Sequence, residues 1–518
     1  MTGIMTGIMT GIMTGIMTGI MTGIMTGIMT GIMTGIMTGI MTGIMTGIRT
    51  AAAGLTLLLA AACTAPTPPR SQAAGTTDGT VCAPPQSAPG TETPTTVDVI
   101  EQAYFCILGN YYSGATLEAR SLLIAGFIAL TQELNRNGRD VPEATMPALK
   151  GDRKADWAAF EAVYRKTTDQ VPAGLRDRLA VVTLEAIVAA LGDNHASWAH
   201  DIERPPDYYD GDGYGLGLQV NVTRSQATHS PATMLPPLFV TTVQGGAAQA
   251  AGLRPGDIIE SINGSAPYVD GKATPAIGAL DLGYPQARPV RLRLLRQSTG
   301  RRWNVTLKPG LYQRDLAILQ TVQSKLLDDS IAYVRMRGFA PDSANRVLKA
   351  ITRLRTGRTL TGVVLDLRGN GGGSPTEAAR VLSAFVHGKD THFLCTADGR
   401  CSSVRTDDTV ELLNLPLVVL TDRGCASACE HFSSAVKDLR LGRLVGTRTA
   451  GLMSGPSQAY LLSNNTLLGF PSKHGLGANR EEINRIGVAP DHHVPLTAED
   501  AAAGRDPALA QALTLLHK

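Results

Sequence analysis

The sequence has no Cys-x-x-Cys pair, which removes the commonest ligand spacing of a structural zinc site. It carries little net charge, +3 over 518 residues, and its basic residues are scattered. Nucleic acid therefore has no electrostatic footprint to bind. Beyond residue 63 no apolar run is long enough to span a bilayer. Nothing implies a metal, a nucleotide or any other cofactor. Residues 1–48 are twelve copies of Met-Thr-Gly-Ile with no acid, no base and no polar helical face. Such an array is a low-complexity extension and not a foldable domain.

What is present begins at Met45. A short basic start with Arg49 leads into the apolar run AAAGLTLLLAAA and then Cys63. That is the pattern of an export signal. Cys63 after Ala61-Ala62 resembles a bacterial lipobox, with Ala60 where leucine is usual. The resemblance implies lipidation at Cys63 and a lipid anchor on the outer face of a membrane; a plain secretory signal is the other reading. Residues 1–63 thus form repeat plus signal peptide. Seven cysteines less Cys63 leave six, an even set that suits disulfides in an exported protein. Cys82 and Cys106 are sequence neighbours, Cys395 and Cys401 flank a tight Asp-Gly turn, and Cys425 and Cys429 stand four apart at a helix start. Cross-pairing between the last two pairs is equally permitted.

Residues 64–97, rich in Pro, Thr, Ser and Ala, read as a flexible linker. Residues 98–211 carry apolar residues at helical spacing and predict a helical domain, closing on Leu191-Gly192-Asp193-Asn194-His195. Residues 212–310 switch to short strands with one small helix. Gly215-Leu216-Gly217-Leu218, then Gly252-Leu253-Arg254-Pro255-Gly256-Asp257 and Ile262-Asn263-Gly264, resemble a PDZ domain. The resemblance makes Gly215, Leu216, Gly217 and Leu218 the peptide-binding loop, capturing a polypeptide as an added strand. Residues 311–518 alternate strands and helices, an α/β body with a buried sheet. The chain reads as an α+β multidomain protein.

Within that body, Gly424 to Phe432 (GCASACEHF) joins the apolar strand Pro416–Thr421 to a helix. A small-residue turn between strand and helix exposes a serine beside backbone N–H groups. Ser427 there reads as a catalytic nucleophile or, more plainly, as a helix N-cap. Upstream, Asp366-Leu367-Arg368-Gly369-Asn370-Gly371-Gly372-Gly373 is a strand ending in a glycine turn, either a set of oxyanion donors or a turn needing positive φ.

The order of helical segment, PDZ module and α/β body with these motifs resembles the carboxy-terminal processing, or tail-specific, serine proteases. The resemblance implies a crotonase/ClpP-like core, a nucleophile at Ser427 and oxyanion N–H groups from Gly372 and Ala428. In that family a lysine activates the serine, but here Leu452 occupies its place. A tricorn-like branch uses a histidine from a Leu-x-Asp-x-His stretch, which Leu191 to His195 matches. The resemblance therefore implies His195 as general base. For the third member it points just before the turn Gly487-Val488-Ala489-Pro490-Asp491, where Glu482 is named beside Glu481, although Asn484 occupies the slot itself. Asp438 matches an aspartate of the lysine-using branch but reads more plainly as a solvated helix acid, and Lys473 and His474 are fallback bases. The expected function is an exported serine endopeptidase, secreted or on the cell surface, acting on unstructured or C-terminal polypeptide segments held by the PDZ domain. The alternative is a cell-surface peptide-binding protein with a degenerate protease body.

Overall fold

Apolar residues three and four apart wind the chain after residue 96 into four helices: α1 (Val97–Asn110), α2 (Ala119–Arg136), α3 (Arg153–Thr168) and α4 (Ala173–Ala189). Asp152 starts α3 by accepting from the Ala155 N–H at 2.8 Å. Tyr104, Trp157 and Phe160 stack inside the group, with Tyr104 and Trp157 ring centroids 5.4 Å apart. Gly192, at φ +58°, ends the last helical turn. The chain then passes through Asp193 to His195 into a short strand, β1 (Ser197–Ala199). The computed structural model describes residues 82–86, 89–200, 205–209, 211–222, 235–314 and 320–517. All of them fall within one unit, Asp78–Lys518. The repeat, the leader and Cys63 lie outside the described residues.

The β-rich module comprises β2 (Asp212–Gly215), β3 (Leu218–Val220), β4 (Val240–Val243), α5 (Gly246–Ala250), β5 (Ile258–Ile262), β6 (Val290–Arg296), β7 (Arg301–Leu307) and β8 (Gly310–Gln313). Alternation in β6 sends Val290, Leu292 and Leu294 inward and Arg291 and Arg293 outward. The β8 strand pairs antiparallel with β2, so the module closes past the expected boundary at 310.

The α/β body follows: β9 (Val322–Leu327), β10 (Ile331–Met336), α6 (Ser343–Arg355), β11 (Gly362–Asp366), α7 (Pro375–Leu382), β12 (Asp390–Cys395), β13 (Cys401–Arg405), β14 (Leu417–Thr421), α8 (Ala428–Asp438), β15 (Gly442–Gly446), β16 (Ser457–Leu461), β17 (Leu467–Pro471), β18 (His474–Leu476), β19 (His492–His493), α9 (Ala498–Ala503) and α10 (Pro507–Leu516). Six strands form the main sheet in the order β9-β10-β11-β14-β15-β19, parallel except for the β9 edge. Strands β11 and β14 are buried along their whole length. This explains their unbroken apolar runs, since helices cover both faces. Helices α6, α7 and α8 pack on one face and α10 on the other.

Two features depart from a simple division into domains. The hairpin β16–β17 contributes Tyr460, Leu462, Leu468 and Phe470 to the core of the helical segment. Its strand β17 also pairs antiparallel with β1, Ser197 opposite Gly469. The helical segment therefore does not bury its own core alone. This pairing carries the residues just before β1 onto the α/β body. The six described cysteines pair as sequence neighbours: Cys82–Cys106, Cys395–Cys401 and Cys425–Cys429.

Candidate active site

Strands β11 and β14 are parallel neighbours, so the turns leaving their carboxyl ends lie side by side. That is where open α/β sheets place their sites. The turn after β14 is tied to the turn after β11 by the Ala426 N–H on the Asn370 carbonyl, 3.0 Å. The Cys429 N–H closes a turn onto the Ala426 carbonyl at 3.1 Å. Ser427 occupies that turn's first central position at φ +56°, ψ −121°, the type II′ conformation that favours glycine. Serine held there costs about 1–3 kcal/mol, so surrounding structure must impose it.

Glu430 supplies much of that structure. It stands three residues into α8, in capping-box relation to Ser427, and is fully buried. One oxygen takes the Gly451 N–H at 2.7 Å and the Thr449 hydroxyl. The other takes the N–H groups of Leu452 at 2.8 Å and Ser427 at 3.2 Å. The Ser427 N–H also reaches the Leu452 carbonyl at 3.0 Å. Burial pushes the Glu430 carboxyl up to about 7 against the pull of these four donors. Thus the loop that carries Leu452 supports Ser427 through its backbone.

His195 Nε2 lies 3.3 Å from Ser427 Oγ. Helix α4 and the β1–β17 pairing hold it there across 232 residues of sequence. Its protonation is set by a chain of partners. The Met453 N–H donates to Asn484 Oδ1 at 3.2 Å, which fixes that oxygen as an acceptor. Asn194 therefore offers Asn484 its amide nitrogen, at 2.9 Å. Asn194 Oδ1 is thereby turned to His195 Nδ1, 2.6 Å away. An acceptor at Nδ1 places the neutral ring's proton there and leaves the Nε2 lone pair facing Ser427. Ser454 Oγ adds a second contact to Nδ1 at 3.1 Å while donating to Asp193 Oδ1 at 2.6 Å. Asp193 also accepts from the His195 N–H and from the Tyr111 hydroxyl, both at 2.8 Å. Burial holds the His195 imidazole below its ordinary value, and the nearby Asp193 charge opposes that shift.

The glycine turn approaches the serine closely. A Cβ on Gly372, at φ +98°, would lie 2.7 Å from Ser427 Cβ and 2.6 Å from the Ala426 carbonyl oxygen. Gly372 is not a free oxyanion donor, however: its N–H donates to Asn370 Oδ1 at 2.9 Å. Ala428 is the first residue of α8, where an N–H has no acceptor within the helix. The turn is braced from behind by Arg368, which bridges buried Asp366 at 2.7 Å to Asp506 at 2.8 Å.

Glu482 is not the partner of His195. Its Oε2 pairs with His474 Nε2 at 2.7 Å, and its Oε1 takes the Asn484 N–H at 3.0 Å. Asn484, two residues further on, acts on the ring through the Asn194 amide. Asp438 ends α8, roughly 16 Å along the helix from Ser427 at about 1.5 Å per residue. It faces Ser434, which also donates to Glu481. Tyr111 and Ser454 carry no signal in the sequence; Glu430 carries one, its place three residues after Ser427.

In the β-rich module, the Leu216 carbonyl accepts from the Ala248 N–H at 2.9 Å and the Gly217 carbonyl from the Gln244 N–H at 2.8 Å. Gly217, at φ +77°, has no room for a side chain against the Gly245 carbonyl. Strand β3 pairs only with β4 among the described residues, which leaves it one unpaired edge. The module rests on α9, where Phe239 and Ile258 bury Ala498. Among the described residues no cluster of three or more His, Cys, Asp or Glu could hold a metal ion.

Comparison with known proteins places these parts among relatives. The pattern of Peptidase family S41 matches residues 330–494, and that of the PDZ domain matches residues 209–271. A carboxy-terminal processing protease of Bacillus subtilis is 26% identical over 380 residues, covering 71% of this chain and 75% of that protein. A chloroplastic carboxyl-terminal-processing peptidase of Arabidopsis thaliana is 27% identical over 294 residues, 54% of this chain. That match spans about half the plant protein's length, 53%. Among solved structures, a photosystem II D1 C-terminal processing protease aligns with TM-score 0.48 and 21% identity, covering 78% of this chain and 93% of the other.

Proposed function

We propose that this chain belongs to peptidase family S41, carries a PDZ domain and works as an exported serine endopeptidase on unstructured or C-terminal polypeptide segments, a reading supported by the matches at residues 330–494 and 209–271. The observation that carries the reading is the His195 Nε2 lone pair 3.3 Å from a serine held at positive φ on a strand-to-helix turn. In this reading Ser427 attacks the scissile carbonyl and His195 takes its proton. The imidazolium then protonates the leaving amine. Asn194 and Ser454 hold the ring in the required tautomer, and Asp193 offsets the imidazolium charge. The Ala428 N–H faces the developing oxyanion. Gly372 contributes by its lack of a side chain, and its N–H joins only if Asn370 lets go of it. The loop Gly215 to Leu218 and the β3 edge receive the polypeptide as an added strand. The core is read as crotonase/ClpP-like, with a histidine base as in the tricorn branch. Export follows from the leader and from three disulfides, which persist in oxidising compartments. Lipidation at Cys63 would hold the protein at the outer face of a membrane.

The test is cleavage of an unfolded polypeptide by the mature protein. Ser427→Ala and His195→Ala should each abolish it while peptide binding survives. A second reading, a peptide-binding protein that no longer cleaves, is favoured by Leu452 and by the occupied Gly372 N–H. Peptide binding without cleavage from pH 5 to 9 would establish it instead.

A further inference from the structure

The nucleophile turn is enclosed by a covalent bridge, Cys425–Cys429, spanning four residues of sequence around Ser427. Both cysteines are fully buried. Each arm is separately fixed. Cys425 sits on the strand side: its N–H reaches the Asp422 carbonyl at 3.0 Å, and its carbonyl accepts the Ala450 N–H at 2.9 Å. Cys429 sits on the helix side, where its carbonyl accepts the Ser433 hydroxyl at 2.8 Å. The bridge therefore joins the two arms of the type II′ turn that holds Ser427 at φ +56°.

A bridge this short is poorly suited to stabilising the whole protein. The chain entropy a disulfide removes from the unfolded state grows with the loop it closes. Cys82–Cys106, with a separation of 24, closes a far longer loop than one of four. The short bridge instead acts where it lies, on a serine in a conformation suited to glycine.

We propose that the Cys425–Cys429 disulfide is a positioning device for the reaction: it locks the turn so that Ser427 Oγ stays in reach of His195 Nε2. The proposal rests on Ser427 being the nucleophile. Without the bridge only hydrogen bonds, chiefly those of Glu430, hold the turn, which then spends most of its time at negative φ with the hydroxyl away from the imidazole. Peptide capture, which happens elsewhere in the chain, is unaffected. Reduction by an added dithiol has the same effect: two electrons and two protons convert the bridge to two thiols, while the dithiol closes to its cyclic disulfide.

The test compares wild type with the double variant Cys425→Ser/Cys429→Ser, well below the melting temperature of each. The readouts are kcat and KM on an unfolded polypeptide and the labelling rate by a fluorophosphonate. The expected result is a fall of tenfold or more in both kcat and labelling rate, with KM within twofold. Dithiol treatment, with bridge opening verified by alkylation and mass, should bring wild type down to the same level. It should leave the double variant unchanged, which separates this bridge from Cys82–Cys106 and Cys395–Cys401. Should the double variant not fold, graded dithiol treatment of wild type decides: loss of kcat must track the opening of Cys425–Cys429, located by alkylation and peptide mass, and not that of Cys82–Cys106 or Cys395–Cys401. Full kcat and labelling with the bridge absent would overturn the proposal while leaving the peptidase reading intact. A wild type that neither cleaves nor labels would overturn both.

Discussion

Asn194→Ala removes the acceptor that the structure places on His195 Nδ1 at 2.6 Å. Ser454 Oγ remains at 3.1 Å, a longer and weaker acceptor for Nδ1–H whose own proton goes to Asp193. In the ground state the loss is one neutral hydrogen bond. In the transition state the ring becomes imidazolium, and the lost bond is charge-assisted, worth about 1.5–3 kcal/mol. Only the difference, about 1–1.5 kcal/mol, acts on the chemical step, so at 1.36 kcal/mol per decade kcat should fall about 5- to 13-fold. KM should change little, because Asn194 touches no substrate. Asn484→Leu should reproduce most of the effect, since Asn484 acts on the ring only through Asn194. The double variant should be barely worse than either single one, as for residues in one network. Steady-state cleavage of a fluorogenic unfolded polypeptide measures all three. A kcat for Asn194→Ala within twofold of wild type, with His195→Ala inactive, would refute the tautomer argument.

Three further outcomes follow from the same geometry. Burial disfavours the His195 imidazolium, so the ring stays neutral to lower pH than an exposed histidine. The acid limb of kcat/KM should therefore fall below pH 6.5, and a limb at or above that value contradicts the burial argument. Gly372→Ala forces a methyl against Ser427 Cβ at positive φ; it should destabilise by more than about 2 kcal/mol in urea unfolding and remove activity. Glu430→Gln turns an NH2 toward donors that a carboxylate accepts. It should cost about 3 kcal/mol and lower kcat, checked by the denaturation midpoint and by cleavage.

The elements that carry the site were legible because they are local. The strand at Leu417–Thr421, the turn and the helix from Ala428 stand in one continuous stretch of small and apolar residues. What joins them was not local. Asn194 meets Asn484 across 290 residues, and Ser454 meets His195 across 259. No periodicity or spacing encodes such contacts. Glu482 was favoured because an acid was wanted near the Gly487 turn, whereas the fold supplies charge from Asp193, beside the histidine itself. The helical segment looked independent because its own pattern is helical. Its core is completed by Tyr460 and Phe470, which the pattern of either segment alone does not reveal.

The central claim, that His195 activates Ser427, is tested most directly by labelling the mature protein with a fluorophosphonate and locating the adduct by mass. The account predicts a single adduct on Ser427, none in Ser427→Ala, and labelling slowed by at least a hundredfold in His195→Ala. Labelling of Ser427 at an equal rate with and without His195, or no adduct on Ser427 between pH 5 and 9, would contradict it.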